Sequence, residues 1–172
     1  MGIRENILEL KSEIEKYSPN PAAVTLLPTT KYVDAQGVLE VVKAGCNVVG
    51  ENRVQALEEK RNILENLETG DIKWHFIGNL QKNKVKYIAP YIEMIHSVNK
   101  VSLAKEIDKR AKQNNRRIKV LLEVNISKEE SKEGYSIERL YEELPALLKL
   151  ENIEICGLMT MAPFTEEEKV VR

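Results

Sequence analysis

The chain has 172 residues, of which 42% are hydrophobic and 31% charged, a composition typical of a folded soluble domain. Its 26 basic and 27 acidic side chains leave a net charge of -1, which argues against a general nucleic-acid binder, because such proteins carry a marked basic excess. No apolar run approaches the roughly 20 residues of a transmembrane helix, and the charged N-terminus contains no signal-peptide segment. We therefore expect one domain over residues 1–172, located in the cytoplasm, that binds neither membranes nor nucleic acid.

Metal and disulfide chemistry are not expected. The two cysteines, Cys46 and Cys156, lie far apart in the chain, and the two histidines are His75 and His96. These residues form no CxxC or other ligand spacing, so neither a zinc centre nor a disulfide framework is predicted, and a reducing compartment is the default.

Strands and helices are predicted to alternate along the chain. Apolar positions three and four residues apart indicate a first helix from Ile3 to about Ile14, and the remaining elements repeat as strand followed by helix. The predicted strands are 24–30, 47–50, 73–78, 94–98, 119–126 and 153–161, the helices between them are 35–44, 53–67, 81–88, 100–114 and 136–148, and a last helix begins near Thr165. Such alternation predicts a parallel sheet covered by helices.

Two architectures fit this pattern, an open doubly wound sheet and a (β/α)8 barrel of the TIM type. No glycine-rich nucleotide fingerprint follows the first strand, as an open-sheet nucleotide binder would carry. Instead, polar residues stand at the carboxyl ends of the strands, where barrel enzymes build their sites; these are Lys31, Glu51, Asn52, Asn79, Ser97, Asn125 and Thr160. We predict a TIM-type barrel truncated to about six strand–helix units, because the sequence ends at Arg172 inside the sixth unit.

Lys31 is the strongest candidate for chemistry. It closes an apolar run, Leu26–Thr30, and an isolated buried ammonium is disfavoured. If its strand face lines a barrel, the amine enters a partly dry cavity and can attack an aldehyde to form a Schiff base. The alternative is an ordinary surface lysine at a strand end.

The other candidates have equally plain alternatives. His75 either points into the barrel or packs as a core histidine, and Asn52 and Asn125 are either site groups or helix caps. Met159 is either a ligand contact or core. The lysines at 82, 84 and 86 are either anion contacts or a solvated helix face.

Several short motifs, taken together, resemble one protein family. They are Thr29-Thr30-Lys31, Gly50-Glu51-Asn52-Arg53-Val54-Gln55, Trp74-His75-Phe76-Ile77-Gly78-Asn79-Leu80-Gln81-Lys82-Asn83-Lys84, Val124-Asn125-Ile126-Ser127-Lys128, Ser131-Lys132-Glu133-Gly134 and Gly157-Leu158-Met159. In this order the chain resembles the pyridoxal phosphate homeostasis proteins, whose domain is similar to the N-terminal barrel of alanine racemase. The resemblance implies pyridoxal 5'-phosphate (PLP) as cofactor, held covalently on Lys31, with Asn52, His75, Asn125 and Met159 lining its site.

The resemblance also implies a role in vitamin B6 and amino-acid homeostasis, without catalysis. The alternative is a PLP-dependent racemase-like or Schiff-base enzyme that uses the same lysine. Candidate partners are PLP itself and PLP-dependent apoenzymes, and a monomer or weak dimer is expected. The family's phosphate and pyridine-nitrogen contacts come from its last two strand–helix units, so neither Lys82 nor Lys84 is assigned these roles, and we expect weaker cofactor binding than in a full-length relative.

Overall fold

The computed structural model describes residues 2–67, 70–126 and 133–161, in which helices and short strands alternate. The helices are α1 (Ile3–Tyr17), α2 (Ala35–Lys43), α3 (Val54–Leu64), α4 (Val85–Ile88), α5 (Val101–Gln113) and α6 (Ile137–Leu147), and the strands are β1 (Val48–Glu51), β2 (Lys73–Phe76), β3 (Met94–Val98), β4 (Ile118–Glu123) and β5 (Ile153–Met159). Two single 3-10 turns cover Pro21–Ala23 and Lys82–Lys84. The chain divides into a first unit, Met1–His75, and a second unit, Phe76–Arg172.

In the first unit, α2 packs against both α1 and α3, and α3 also packs against β1. Asp34 caps α2, because its Oδ1 accepts a hydrogen bond from the backbone N–H of Gly37 at 2.9 Å. At the other end of α2, the Lys11 ammonium of α1 donates to the Gly45 carbonyl at 3.1 Å. The core of this unit consists of buried aliphatic side chains: Ile7, Val38, Val41, Val49, Leu57 and Leu64.

The predicted first strand, 24–30, is largely absent, and the reason is Pro28. Only an isolated parallel bridge joins Thr29 to Gly50, in which the Gly50 N–H donates to the Pro28 carbonyl at 2.9 Å and the Thr30 N–H donates to the Gly50 carbonyl at 2.8 Å. To continue backwards, a parallel ladder would need the N–H of Pro28, which proline lacks. The strand prediction was therefore wrong in extent.

In the second unit, β3, β4 and β5 lie side by side and parallel. Ile95 pairs with Val120, and Val120 pairs in turn with Ile155. Helix α5 packs against all three strands and contributes the fully buried Leu103 and Ile107. The carboxyl ends of the three strands consequently lie at one edge, where Ser97, Asn125 and Thr160 of the predicted polar set stand.

One further element differs from the sequence prediction. The predicted helix 81–88 is a 3-10 turn followed by the four-residue α4. Helix α6 continues through Pro145 and ends at Leu147, within one residue of the predicted end, although the proline lacks the N–H for one helical hydrogen bond. The helix predicted near Thr165 lies outside the described residues.

Candidate functional site

Lys31 lies on a tight turn directly after the Thr29–Gly50 bridge. The Val33 N–H donates to the Thr30 carbonyl at 3.2 Å, which makes Lys31 and Tyr32 the two central residues of the turn. The Lys31 side chain is exposed, and its amine lies 4.8 Å from the centroid of the Tyr32 ring, within cation–π range. The partly dry cavity around this amine was expected only if its strand lines a barrel, and it stays a prediction; in this structure the side chain is exposed, as in the surface-lysine alternative.

Beneath this turn lies a buried ion pair. The Lys60 ammonium is 2.5 Å from Glu51 Oε2, and the two residues are 8% and 0% exposed. The same ammonium donates to the Thr30 carbonyl at 2.7 Å. Thr30 is itself buried, and its hydroxyl donates to the Gly50 carbonyl at 3.1 Å. The residue before Lys31 is thus held by its backbone and by its side chain.

The same ion pair reaches Asn52. Its backbone N–H donates to Glu51 Oε1 at 2.8 Å, and its side chain is half-buried. Asn52 is not the N-cap of α3, because that position belongs to Arg53, so the helix-cap alternative was wrong. Through Glu51 and Lys60, hydrogen bonds therefore link Asn52 to Thr30, the residue before Lys31.

His75 is buried in β2, as are Trp74 and Phe76 on either side of it in the chain. The expected role of His75 in lining a cofactor site stays a prediction.

A cavity of about 260 Å³ lies at the carboxyl edge of the sheet in the second unit. It brings together Asn125 and Met159, two of the predicted site residues. The other lining residues are Ile77, Gly78, Asn79, Ser97, Glu123, Val124, Glu133 and Met161. The Ser97 hydroxyl donates to the Gly78 carbonyl. Met159 also borders an apolar groove beside α6, lined in part by Leu140 and Leu158.

The wall of this cavity is acidic. The Glu133 carboxylate accepts hydrogen bonds from the side-chain amides of Asn79 at 3.3 Å and Asn99 at 2.9 Å. Burial raises the pKa of Glu123, and the negative charge of Glu133 raises it further. Among the described residues that line the cavity, none is a lysine or arginine, so they offer hydrogen-bonding groups and negative charge but no cationic contact for a phosphate.

Gly134 holds the backbone of this cavity in place. The Tyr135 N–H donates to the Glu123 carbonyl at 2.7 Å, and the Asn125 N–H donates to the Tyr135 carbonyl at 2.9 Å. Gly134 has a φ of +126°, and a Cβ at this position would lie 2.8 Å from the Asn125 nitrogen. Because only glycine accepts both conditions, Gly134 allows the close approach that fixes Asn125.

The lysines after β2 look like an ordinary solvated face. Lys84 and Lys86 are exposed, and their amines lie 5.5 Å and 4.9 Å from the centroid of the Tyr87 ring. Within the described ranges 2–67, 70–126 and 133–161, no helix is both long and apolar enough to cross a membrane. In those same ranges, no three or more metal-binding side chains come together.

The sequence reasoning missed Lys60. A signal was available, because Lys60 follows Leu57 by three residues and precedes Leu64 by four, which places it on the buried face of α3. A charged residue on an apolar helix face needs a buried partner. The sequence did not say that this partner is Glu51.

Known proteins are similar to this chain in sequence and in fold. The family model of the alanine racemase N-terminal domain matches residues 2–171. The chain is 44% identical over 147 residues to the pyridoxal phosphate homeostasis protein of Aquifex aeolicus, covering 86% of this chain and 63% of that protein. It is 30% identical to the protein of the same name from Escherichia coli K12, covering 98% of this chain and 73% of that protein.

Solved structures are also similar to this chain. PipY of Synechococcus elongatus PCC7942, solved with PLP bound, is 33% identical, with a TM-score of 0.83 over 95% of this chain and 72% of PipY. Alanine racemase of Clostridium difficile 630 is 17% identical with a TM-score of 0.66, a likeness of fold alone. The predicted α/β fold of the alanine racemase N-terminal type is confirmed, and closure into a barrel stays a prediction. The chain therefore belongs to the pyridoxal phosphate homeostasis protein family.

Proposed function

We propose that this chain binds PLP, carries it as a Schiff base on Lys31, and serves PLP and amino-acid homeostasis without catalysing a reaction. The observation that carries the proposal is the similarity to PipY, whose structure contains PLP, at 33% identity over 95% of this chain. The chain spans only 63% of its Aquifex aeolicus relative, so the role of the whole protein belongs to the proposal.

The turn that carries Lys31 fits the attachment of such a cofactor. PLP supplies an aldehyde, whose carbon bonds to a lysine nitrogen while the aldehyde oxygen leaves as water. Lys31 offers an exposed amine on a turn whose first residue, Thr30, is held by Gly50 and Lys60. The turn thus combines an accessible nucleophile with a fixed backbone, as attachment requires.

The remaining contacts are assigned more broadly. Asn52 would contribute hydrogen bonds near Lys31, and Asn125 and Met159 would contribute the walls of the cavity in the second unit. His75 is proposed as a further lining residue. No phosphate role is proposed for Lys82 or Lys84, which are exposed.

The rest of the proposal concerns the protein's setting. We place the protein in the cytoplasm as a monomer or weak dimer, with PLP-dependent apoenzymes as receivers of the cofactor. The racemase alternative gains no support from alanine racemase, because 17% identity speaks only for the fold. Racemisation also needs acid–base groups on both faces of the cofactor.

Borohydride trapping tests the proposal. The chain is incubated with PLP, reduced, digested and mapped, and we expect the label on Lys31 and its loss in Lys31→Ala. Lys16→Ala is the matched control, since the Lys16 amine also lies 4.8 Å from a neighbouring ring, that of Tyr17. Label on a different lysine, or an even spread over many, would contradict attachment at Lys31. Amino-acid turnover that disappears in Lys31→Ala would favour the enzyme alternative.

A further inference from the structure

The buried ion pair in the first unit has more than a packing role. Replacing a buried ion pair by apolar residues is often neutral or stabilising, so such a pair is weak evidence for stability. Glu51 and Lys60 are nonetheless buried here at 0% and 8% exposure. Their remaining hydrogen bonds show what else the pair does.

Each partner contacts the backbone of a segment in the candidate site. Lys60 donates to the Thr30 carbonyl at 2.7 Å, and Glu51 accepts from the Asn52 N–H at 2.8 Å. The Thr30 carbonyl is also the acceptor that closes the turn, because the Val33 N–H donates to it at 3.2 Å. One carbonyl oxygen therefore joins Lys60 to the turn that carries Lys31.

The far side of this turn is fixed as well. A Cβ on Gly37 would lie 2.6 Å from the Val33 Cβ, so Val33 packs directly on the first turn of α2. Asp34 then caps that helix. With Val33 held by α2 and Thr30 held by Lys60, the freedom left at Lys31 is mainly that of its side chain.

We propose that Glu51 and Lys60 are positioning residues, which hold the Thr30–Val33 turn so that the Lys31 amine is presented for cofactor attachment. The ammonium of Lys60 grips the Thr30 carbonyl, and Glu51 neutralises that ammonium and orients it. This inference rests on the proposed function, because it concerns how Lys31 is presented to PLP.

The test needs a variant that keeps the fold. Lys60→Met alone leaves a buried carboxylate unpaired, so the informative variant is the double replacement Glu51→Gln with Lys60→Met. Gln keeps an oxygen for the Asn52 N–H, and Met keeps the apolar stem of Lys60, so the change removes chiefly the donor to Thr30. Arg61→Met is the control, because Arg61 is the next residue of α3 and pairs at the surface with Glu65.

Two measurements follow on the full chain. Without cofactor, amide exchange by NMR is expected to speed up about tenfold at Val33 in the double variant, the size of a lost hydrogen bond to a charged group, and to stay unchanged in Arg61→Met. With PLP, the rate of borohydride-trapped labelling at Lys31 is expected to fall about tenfold in the double variant only. Both results together support the proposal.

The opposite results are distinct. Unchanged exchange at Val33 overturns the clamp on the turn. Faster exchange with an unaltered rate of labelling shows a purely structural pair and overturns the positioning role. An absence of label on Lys31 in the unmodified chain overturns the proposed function, and the positioning role with it, whatever the exchange data show.

Discussion

The two units of this protein treat buried acidic groups in opposite ways. In the first unit, Glu51 is fully buried and lies 2.5 Å from the Lys60 ammonium. In the second unit, Glu123 is half-buried, and the charge that acts most on it is another carboxylate, Glu133. A fully buried carboxylate requires a paired cation, whereas a half-buried one adapts by shifting its pKa upward.

The Glu51–Lys60 pair holds backbone segments in place, whereas Glu123 is a group that can change its protonation. The Glu51–Lys60 pair ties two backbone segments together through the Thr30 carbonyl and the Asn52 N–H, so its charges fix geometry. Glu123 lines an open cavity, where its carboxyl group can gain or lose a proton. Breaking the Glu51–Lys60 pair should therefore lower stability strongly. Substitutions around the cavity should have smaller effects, which depend on backbone fit at Gly134 and on pH at Glu123.

The largest effect is expected from Lys60→Met. It leaves the Glu51 carboxylate buried without its cation, which costs about 3–5 kcal/mol, and urea unfolding measures the loss. The control is Arg61→Met, which removes the i,i+4 ion pair between Arg61 and Glu65 at the surface. Such a pair contributes only about 0.3–0.5 kcal/mol to the free energy of unfolding. Equal losses in the two variants would remove the contrast between buried and surface pairs.

The next largest effect is expected from Gly134→Ala. The left-handed backbone costs roughly 1–2 kcal/mol, and the contact between the new Cβ and the Asn125 nitrogen adds about 1 kcal/mol by breaking a hydrogen bond. Gly45→Ala is the control, because Gly45 also has a positive φ of +84°, but a Cβ there would meet only the end of the Lys11 side chain. Urea midpoints compare the two, and a loss in Gly45→Ala as large as that in Gly134→Ala would contradict the backbone contact.

A smaller, pH-dependent effect is expected from Glu123→Gln. Because the folded pKa of Glu123 lies above its ordinary value, the folded chain binds this proton more tightly than the unfolded chain. The stability contributed by the group therefore falls as pH rises from the ordinary value through the raised one. The free energy of unfolding of the variant should exceed that of the unmodified chain by less than about 1 kcal/mol at neutral pH, since half of the side chain stays in water. This gain should vanish below about pH 4.3.

Thermal or urea unfolding across that pH range measures the Glu123 effect. A gain that is the same at every pH would show that packing, and not charge, is responsible.

The smallest effect on stability is expected from Lys31→Ala. The side chain is exposed, with the Tyr32 ring as its neighbour, so unfolding free energy should change by no more than about 0.5 kcal/mol, while PLP labelling is lost. A large loss of stability would mean that the amine takes part in holding the turn, which would weaken its assignment as a free attachment point.

Several features of the fold and site were accessible from the sequence because their causes are local. Hydrophobic periodicity located α1, and the alternation of strands and helices predicted a parallel sheet covered by helices. The strand-end rule placed Asn125 at the carboxyl edge of the sheet, the family resemblance added Met159, and the structure brings both to one cavity.

Other features could not be read locally. Lys31 is exposed because it lies in the turn at Thr30–Val33. The prediction of a continuous strand up to Lys31 did not foresee this turn. The bond from Asn79 to Glu133 joins residues 54 positions apart, and no local pattern reports such a contact.

By itself, the sequence determined the alternation of strands and helices, the family and the identity of Lys31 as the candidate nucleophile, since each depends on residue order alone. Only the tertiary structure decided that Lys60 meets Glu51 and Thr30 and that Glu123 meets Glu133. The physical reason is that the energy of a charge depends on its burial and on its neighbours in space, and both are set when distant segments pack together.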